Sequence, residues 1–168
     1  MRKQQNFQWE TISLGTCYYP EHWDRSLWEA DLKRMKAAGI ETIRIGEFAW
    51  SKVEPREGEF SYEFFDDFLN AVRAADMKVI FGTPTATPPA WLTEKYPEVL
   101  NCRMDGVKFR HGMRRHYNYN SPVYQDLSAR IVEKFAGHYA AHPNVIGWQI
   151  DNEINCEVDV FYSESDTA

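Results

Sequence analysis

The sequence predicts an α/β fold of about four strand–helix units, forming the first half of an eight-stranded (β/α)8 TIM barrel. Three observations lead there. Short apolar segments alternate with amphipathic ones along the whole chain. Every strand candidate is mostly apolar, as expected of strands in a parallel sheet covered by helices. No Gly-rich phosphate loop follows the first strand candidate, since Leu14-Gly15-Thr16 lacks the further glycines of a dinucleotide fingerprint. A doubly wound open sheet also fits the alternation, but the missing loop favours the barrel.

The elements can be justified in order. Leu14–Tyr18 reads as the first strand, followed by a helix from about Ser26 to Ala38 with Trp28, Leu32 and Met35 on one face. Gly39 ends that helix, because glycine adopts the left-handed conformation a C-terminal cap requires. Thr42–Gly46 is the second strand. A loop through Glu54-Pro55 and Glu57-Gly58 leads to a second long helix, with Ser61 as its expected N-cap and Phe64, Phe65, Phe68, Leu69 and Val72 at the 3–4 spacing of a buried stripe. Lys78–Gly82 is the third strand.

The pattern then loosens. The segment from Thr83 to Asn120 carries Pro84, Pro88, Pro89 and Pro97, with room for a short helix near Ala90–Lys95. Connections of this length inside a compact domain are usually functional or disordered, and Trp91, Tyr96, Tyr117 and Tyr119 argue against disorder. Regularity returns at Ser121-Pro122, a cap followed by proline in the first helical turn. Tyr124, Leu127, Ile131 and Phe135 mark the apolar face of a helix reaching about Ala141, and Val145–Trp148 opens the fourth strand.

Composition excludes some functions. A net charge of −6 over 168 residues argues against a nucleic-acid partner, which needs a basic field. The exception is the run Arg110, His111, Arg114, Arg115 and His116, expected mostly to be a solvated basic loop. Cys17, Cys102 and Cys156 are too irregularly spaced for a disulfide framework or a close-spaced zinc motif, and read as free thiols in a reducing compartment. Met1–Glu10 is polar and no apolar run approaches the ~18 residues of a membrane span, so the expected location is the cytoplasm, with no membrane partner.

In barrels of this kind the chemistry gathers at the carboxyl ends of the strands. Here these are Tyr18-Tyr19, Gly46-Glu47, Thr83-Pro84 and Asn152-Glu153. A carboxyl group at such an end can donate a proton, and an amide beside it can hold a substrate hydroxyl, which together are the tools of glycoside cleavage. Retaining hydrolysis uses a second carboxylate about 5–5.5 Å away as nucleophile. The residues after Glu153 offer no strand to carry one, so the chain is expected to be the amino-terminal portion of a catalytic barrel, residues 1–168, ending after strand four. Alone it is expected to be inactive, with two open sheet edges that favour pairing or aggregation.

Several motifs, in one order over nearly the whole chain, carry a family resemblance. Thr16-Cys17-Tyr18-Tyr19-Pro20-Glu21-His22-Trp23, Arg44-Ile45-Gly46-Glu47-Phe48-Ala49-Trp50-Ser51, Glu54-Pro55 with Gly58, Arg114-Arg115-His116-Tyr117 and Trp148-Gln149-Ile150-Asp151-Asn152-Glu153 together resemble the amino-terminal part of a family 42 glycoside hydrolase, a bacterial-type β-galactosidase. The resemblance implies retention of configuration and Glu153 as the acid/base. The acid/base must be protonated to release the aglycone and ionised to activate water, so a pKa raised toward neutrality suits it.

The resemblance further implies that Asn152 holds the hydroxyl next to the anomeric carbon and that Arg114 reaches the galactosyl hydroxyls, with Arg115 the alternative for the inward-facing arginine. Arg44 steadies the nucleophile by the same resemblance, or else pairs with a carboxylate such as Glu47. Trp50, Trp91 and Trp148 are candidates for a stacking wall or for the core. Certain relatives bind zinc through a cysteine just after the Arg-Arg-His-Tyr segment and three more after Asn-Glu. Asn118 and the cysteine-poor stretch Val158–Ala168 stand there instead, so neither a metal nor any other cofactor is expected. The implied substrate is a galactoside or galacto-oligosaccharide, and the complete protein is expected to be a homo-oligomer, trimers being frequent in the family. The competing expectations are a barrel glycosidase for another β-linked sugar, and a non-catalytic half-barrel that binds sugar or assembles.

Overall fold

The computed structural model describes residues 12–113, 115–156 and 160–166. Four strands, β1 (Leu14–Cys17), β2 (Ile40–Ile45), β3 (Lys78–Gly82) and β4 (Val145–Gln149), form one sheet in the order β1-β2-β3-β4. All three pairings are parallel. A doubly wound sheet reverses its strand order at a switch point. The described strands run in sequence order without such a reversal, the arrangement of the first half of a (β/α)8 barrel. The helices are α1 (Arg25–Ala37), α2 (Trp50–Val53), α3 (Glu63–Ala74), α4 (Ala90–Lys95) and α5 (Pro122–Tyr139).

Local chemistry explains most element ends and corrects one expectation. Asp24 caps α1, its carboxylate accepting from the Ser26 amide at 2.9 Å and from the Ser26 hydroxyl at 2.6 Å. Gly39 lies just past the helix at φ +81°, as a C-terminal glycine should. Ser61 does not cap α3. Its amide donates to the Val53 carbonyl at 2.8 Å, tying it to the end of α2, and α3 begins after Tyr62 without a side-chain cap. Ser121 caps α5, its hydroxyl accepting from the Tyr124 amide at 3.4 Å.

The two sheet faces differ. Ile43, Ile45, Val79 and Phe81 are fully buried beneath the helices. Phe81 is the hub there, at 4.9 Å from Phe135, 4.8 Å from Tyr139, 5.7 Å from Phe65 and 5.6 Å from Trp148 between ring centroids. Trp28 meets Phe64 and Phe68 edge-on, closing α1 on α3. The opposite face carries Arg44 and Gln149, whose side chains meet across it at 2.6 Å. Alternation along the strands therefore sends the apolar set to the helices and the polar set to the face that leads up to the site.

One glycine has no substitute. A Cβ on Gly82 would stand 2.5 Å from the Cβ and 2.8 Å from the Cα of Glu47, which is itself fully buried. Gly137, inside α5, has nothing within 4 Å of where its Cβ would be. We expect Gly82→Ala to cost at least the ~1–3 kcal/mol of an overpacked core, and Gly137→Ala to gain ~0.5–1 kcal/mol from helix propensity. Urea midpoints of the two variants against the parent chain check both signs.

Candidate active site

The carboxyl ends of the four strands are joined by one hydrogen-bond network. From β1, the Tyr19 hydroxyl donates to Glu47 at 3.1 Å. Burial, with Glu47 adding, raises the Tyr19 pKa and keeps that donor protonated. Arg44 of β2 pairs with the same Glu47 oxygen at 2.9 Å and also donates to Gln149 at the end of β4. Gln149 in turn donates to the Asp151 carbonyl at 2.7 Å and to the Asn152 side-chain oxygen at 3.1 Å. Of the two expectations for Arg44, pairing with Glu47 is the one observed.

Asp151 anchors the turn that carries Asn152 and Glu153. Its carboxylate accepts from Arg115 at 3.0 Å, from Thr85 at 3.0 Å and from the Asn152 amide at 2.5 Å, while its own amide donates to the Thr83 hydroxyl at 2.7 Å. Strain collects here. Asp151 (φ +55°), Glu153 (φ +48°) and Arg115 (φ +55°) are three of the four non-glycine residues with positive φ among those described. Each such conformation costs ~1–3 kcal/mol and persists only where surrounding contacts over-determine it, a condition met most often at functional sites. Asn152 is buried and Glu153 exposed. Because Gln149 engages the Asn152 oxygen, the amide offers a ligand its N–H donors.

The basic run is only partly a solvated loop. Arg110 and His111 are exposed, as expected for most of the run, while Arg115 (3% exposed) and His116 (4%) are buried. Arg115 is drawn in by Asp151, by the Tyr117 hydroxyl, to which it donates, and by the faces of Tyr117 and Tyr119 at 5.9 and 5.7 Å. Arg114 lies outside the described residues. Beside this arm is a cavity of about 310 Å³ whose wall includes Phe48, Pro88, Met113, Arg115, His116 and Asn152. Trp50 and Trp148 belong to the core rather than to a stacking wall, and Trp91 donates its indole N–H to the Glu54 carbonyl at 2.9 Å.

Two carboxylates carry roles that the sequence reading did not assign. Glu54 is fully buried and accepts from the Trp50 indole at 2.9 Å, the Gly58 amide at 2.7 Å and Arg130, so it binds α2, its following turn and α5 together. Asp151 sat in a quoted motif, but its partners Thr85 and Arg115 lie 66 and 36 positions away, beyond the reach of any local pattern. Where zinc-binding relatives are expected to carry a cysteine, the buried Asn118 donates to Ser163, Ser165 and Asp166, holding the loop after Glu153 by hydrogen bonds. The three cysteines are free, and among the described residues no group of three or more His, Cys, Asp or Glu side chains could hold a metal.

Known proteins match this chain in sequence and in fold. The chain is 46% identical over 143 residues to a β-galactosidase of Thermus thermophilus, and 43% identical over 149 residues to one of Haloferax lucentense, in each case over 22% of the relative's length. Among solved structures, a β-galactosidase from the psychrophilic Marinomonas ef1 superposes with a TM-score of 0.88 at 43% identity, covering 92% of this chain and 24% of that one. A polyextremophilic β-galactosidase from the Antarctic haloarchaeon Halorubrum lacusprofundi gives 0.83 at 43% identity, over 87% of this chain and 22% of the other. The chain thus spans less than a quarter of the length of these relatives. A family profile described as β-galactosidase matches residues 17–168, and with strand order and sequence in agreement, the chain belongs to glycoside hydrolase family 42.

Proposed function

We propose that this chain is the amino-terminal portion, residues 1–168, of the catalytic barrel of a retaining β-galactosidase that hydrolyses terminal non-reducing β-D-galactosyl residues. The observation that carries the reading is the Asp151-anchored turn after β4, which presents Asn152 and Glu153 at the catalytic end of a family 42 half-barrel. Glu153 protonates the departing aglycone and then takes a proton from the attacking water. Asn152 donates to the hydroxyl beside the anomeric carbon, and Arg114 binds galactosyl hydroxyls. The nucleophile comes from outside these residues, so turnover belongs to a longer polypeptide, in keeping with the 22% of each relative that the chain spans.

The remaining assignments follow the same reading. The substrate is a galactoside or galacto-oligosaccharide, handled without metal or other cofactor in the cytoplasm, by a homo-oligomer for which a trimer is the family's frequent form. No helix among the described residues is long and apolar enough to cross a membrane. The test is the gene product as its own cell makes it, offered a panel of aryl β-glycosides, with the first-formed sugar followed by proton NMR. Preferred release of β-galactose supports the reading. Preference for a β-mannoside or β-xyloside overturns the substrate, first release of the α-anomer overturns retention, and no hydrolysis at all, with a mass ending at Ala168, overturns the enzyme.

A further inference from the structure

Arg44, Gln149 and Asn152 form a chain in which each side chain fixes the donor and acceptor direction of the next. Gln149 closes β4, and its carbonyl accepts from the Thr83 amide at 2.9 Å, so its backbone belongs to the sheet and not to the turn that follows. An amide side chain can sit either way round, and its partners decide which. A guanidinium only donates, so Arg44 at 2.6 Å requires the Gln149 oxygen. A backbone carbonyl only accepts, so the Asp151 carbonyl at 2.7 Å requires the Gln149 nitrogen. Both neighbours thus demand the same orientation, and the second hydrogen of that nitrogen is the one that reaches Asn152, at 3.1 Å. It meets the Asn152 oxygen, which leaves the Asn152 nitrogen as the end available to a ligand.

The direction originates in a buried charge. Glu47 is fully buried and pairs with Arg44 at 2.9 Å through the oxygen that also accepts from the Tyr19 hydroxyl. One arm of the guanidinium meets Glu47 and the other meets Gln149, and its rigid fork ties the two contacts together. Turning the Asn152 amide round would set its nitrogen against the Gln149 nitrogen, donor against donor. The polarity therefore runs from β2 to the turn after β4, between Arg44 and Gln149, which lie 105 positions apart. We infer that Gln149 is a positioning residue: held by Arg44 and Glu47, it sets the Asn152 amide to offer a donor, and so selects a sugar that carries an acceptor oxygen beside the anomeric carbon. The sugar and that carbon rest on the reading of Asn152 given above, while the orientation of the two amides rests on the hydrogen bonds alone.

The experiment uses the complete gene product, an aryl β-galactoside and its 2-deoxy analogue. The ratio of their kcat/KM values is compared among the parent, Asn152→Ala, Gln149→Glu and Gln149→Met. Partial unfolding scales both substrates alike and cancels in the ratio, so the readout separates positioning from stability. Glutamate at 149 keeps the size and the acceptor for Arg44 but has no hydrogen for Asn152, whose nitrogen then turns toward it and away from the ligand. Asn152→Ala is expected to lower the ratio roughly 10- to 100-fold, since this contact strengthens in the transition state. Gln149→Glu should lower it nearly as far, and Gln149→Met, which frees the amide to turn either way, should fall between Gln149→Glu and the parent. A parental ratio in Gln149→Glu beside a lowered one in Asn152→Ala overturns the positioning role and leaves the Asn152 assignment standing. If Gln149→Glu does not fold, a parental ratio in Gln149→Met overturns it in the same way. An unchanged ratio in Asn152→Ala overturns both, and absence of galactoside turnover by the parent overturns the galactosidase reading with them.

Discussion

Glu153→Gln in the complete gene product is expected to lower galactoside turnover by about 10²- to 10⁴-fold, the usual contribution of a positioned general acid or base. The amide keeps the size and the strained backbone position of the carboxylic acid but can neither give nor take the proton. The loss should depend on the leaving group. Aryl galactosides that depart easily need little acid help, so their first step survives and the glycosyl-enzyme accumulates, limited by a water that no base activates. In Glu153→Ala, azide is small enough to enter and needs no base, so it should restore turnover and give the β-galactosyl azide. A variant that turns over all substrates at the parent rate would remove Glu153 from the mechanism.

Asp151→Ala is expected to produce the largest loss of stability, about 3–5 kcal/mol, as for breaking a buried ion pair by removing one partner. Arg115 is nearly inaccessible, with its guanidinium 3.0 Å from Asp151. Without that carboxylate it would be a buried charge left, among the described residues, with the Tyr117 hydroxyl and the aromatic faces. The Thr85 hydroxyl and the Asn152 amide lose their acceptor in the same step. Set against a typical domain stability of about 5–15 kcal/mol, that is a large fraction. Asp151→Asn keeps an oxygen for these donors and should cost clearly less. Urea titrations of both variants make the comparison, and equal midpoints for Asp151→Ala and the parent would refute the anchoring role. An unchanged m-value would show that the loss lies in the folded state.

Much of the framework was legible along the chain because its causes are local. The aromatic stripe of α3 repeats at helical spacing, and Phe65, Phe68, Leu69 and Val72 are all fully buried. The cap at Ser121 and the strand Lys78–Gly82 also stand where expected. Helix α2 was not anticipated, since four residues are too few to show a period. Ser61 has the right chemistry for a cap, but α3 starts one residue too late for it, with Tyr62 at the N-cap position.

At the site the division runs along the same physical line. Alternation of apolar strands and amphipathic helices, the placing of polar groups at strand ends and the order of the motifs are properties of consecutive residues, and they suffice for the half-barrel, for the family and for the location of Asn152 and Glu153. That Arg115 turns inward, that Arg44 finds Glu47, and that Asp151 anchors the turn carrying Asn152 and Glu153 depend on partners brought together across strands and loops. Such pairings are settled only when the sheet assembles, because the free energy that selects them, burial of a charge against its counter-charge and of a donor against its acceptor, does not exist until the chain has excluded water from the place where they meet.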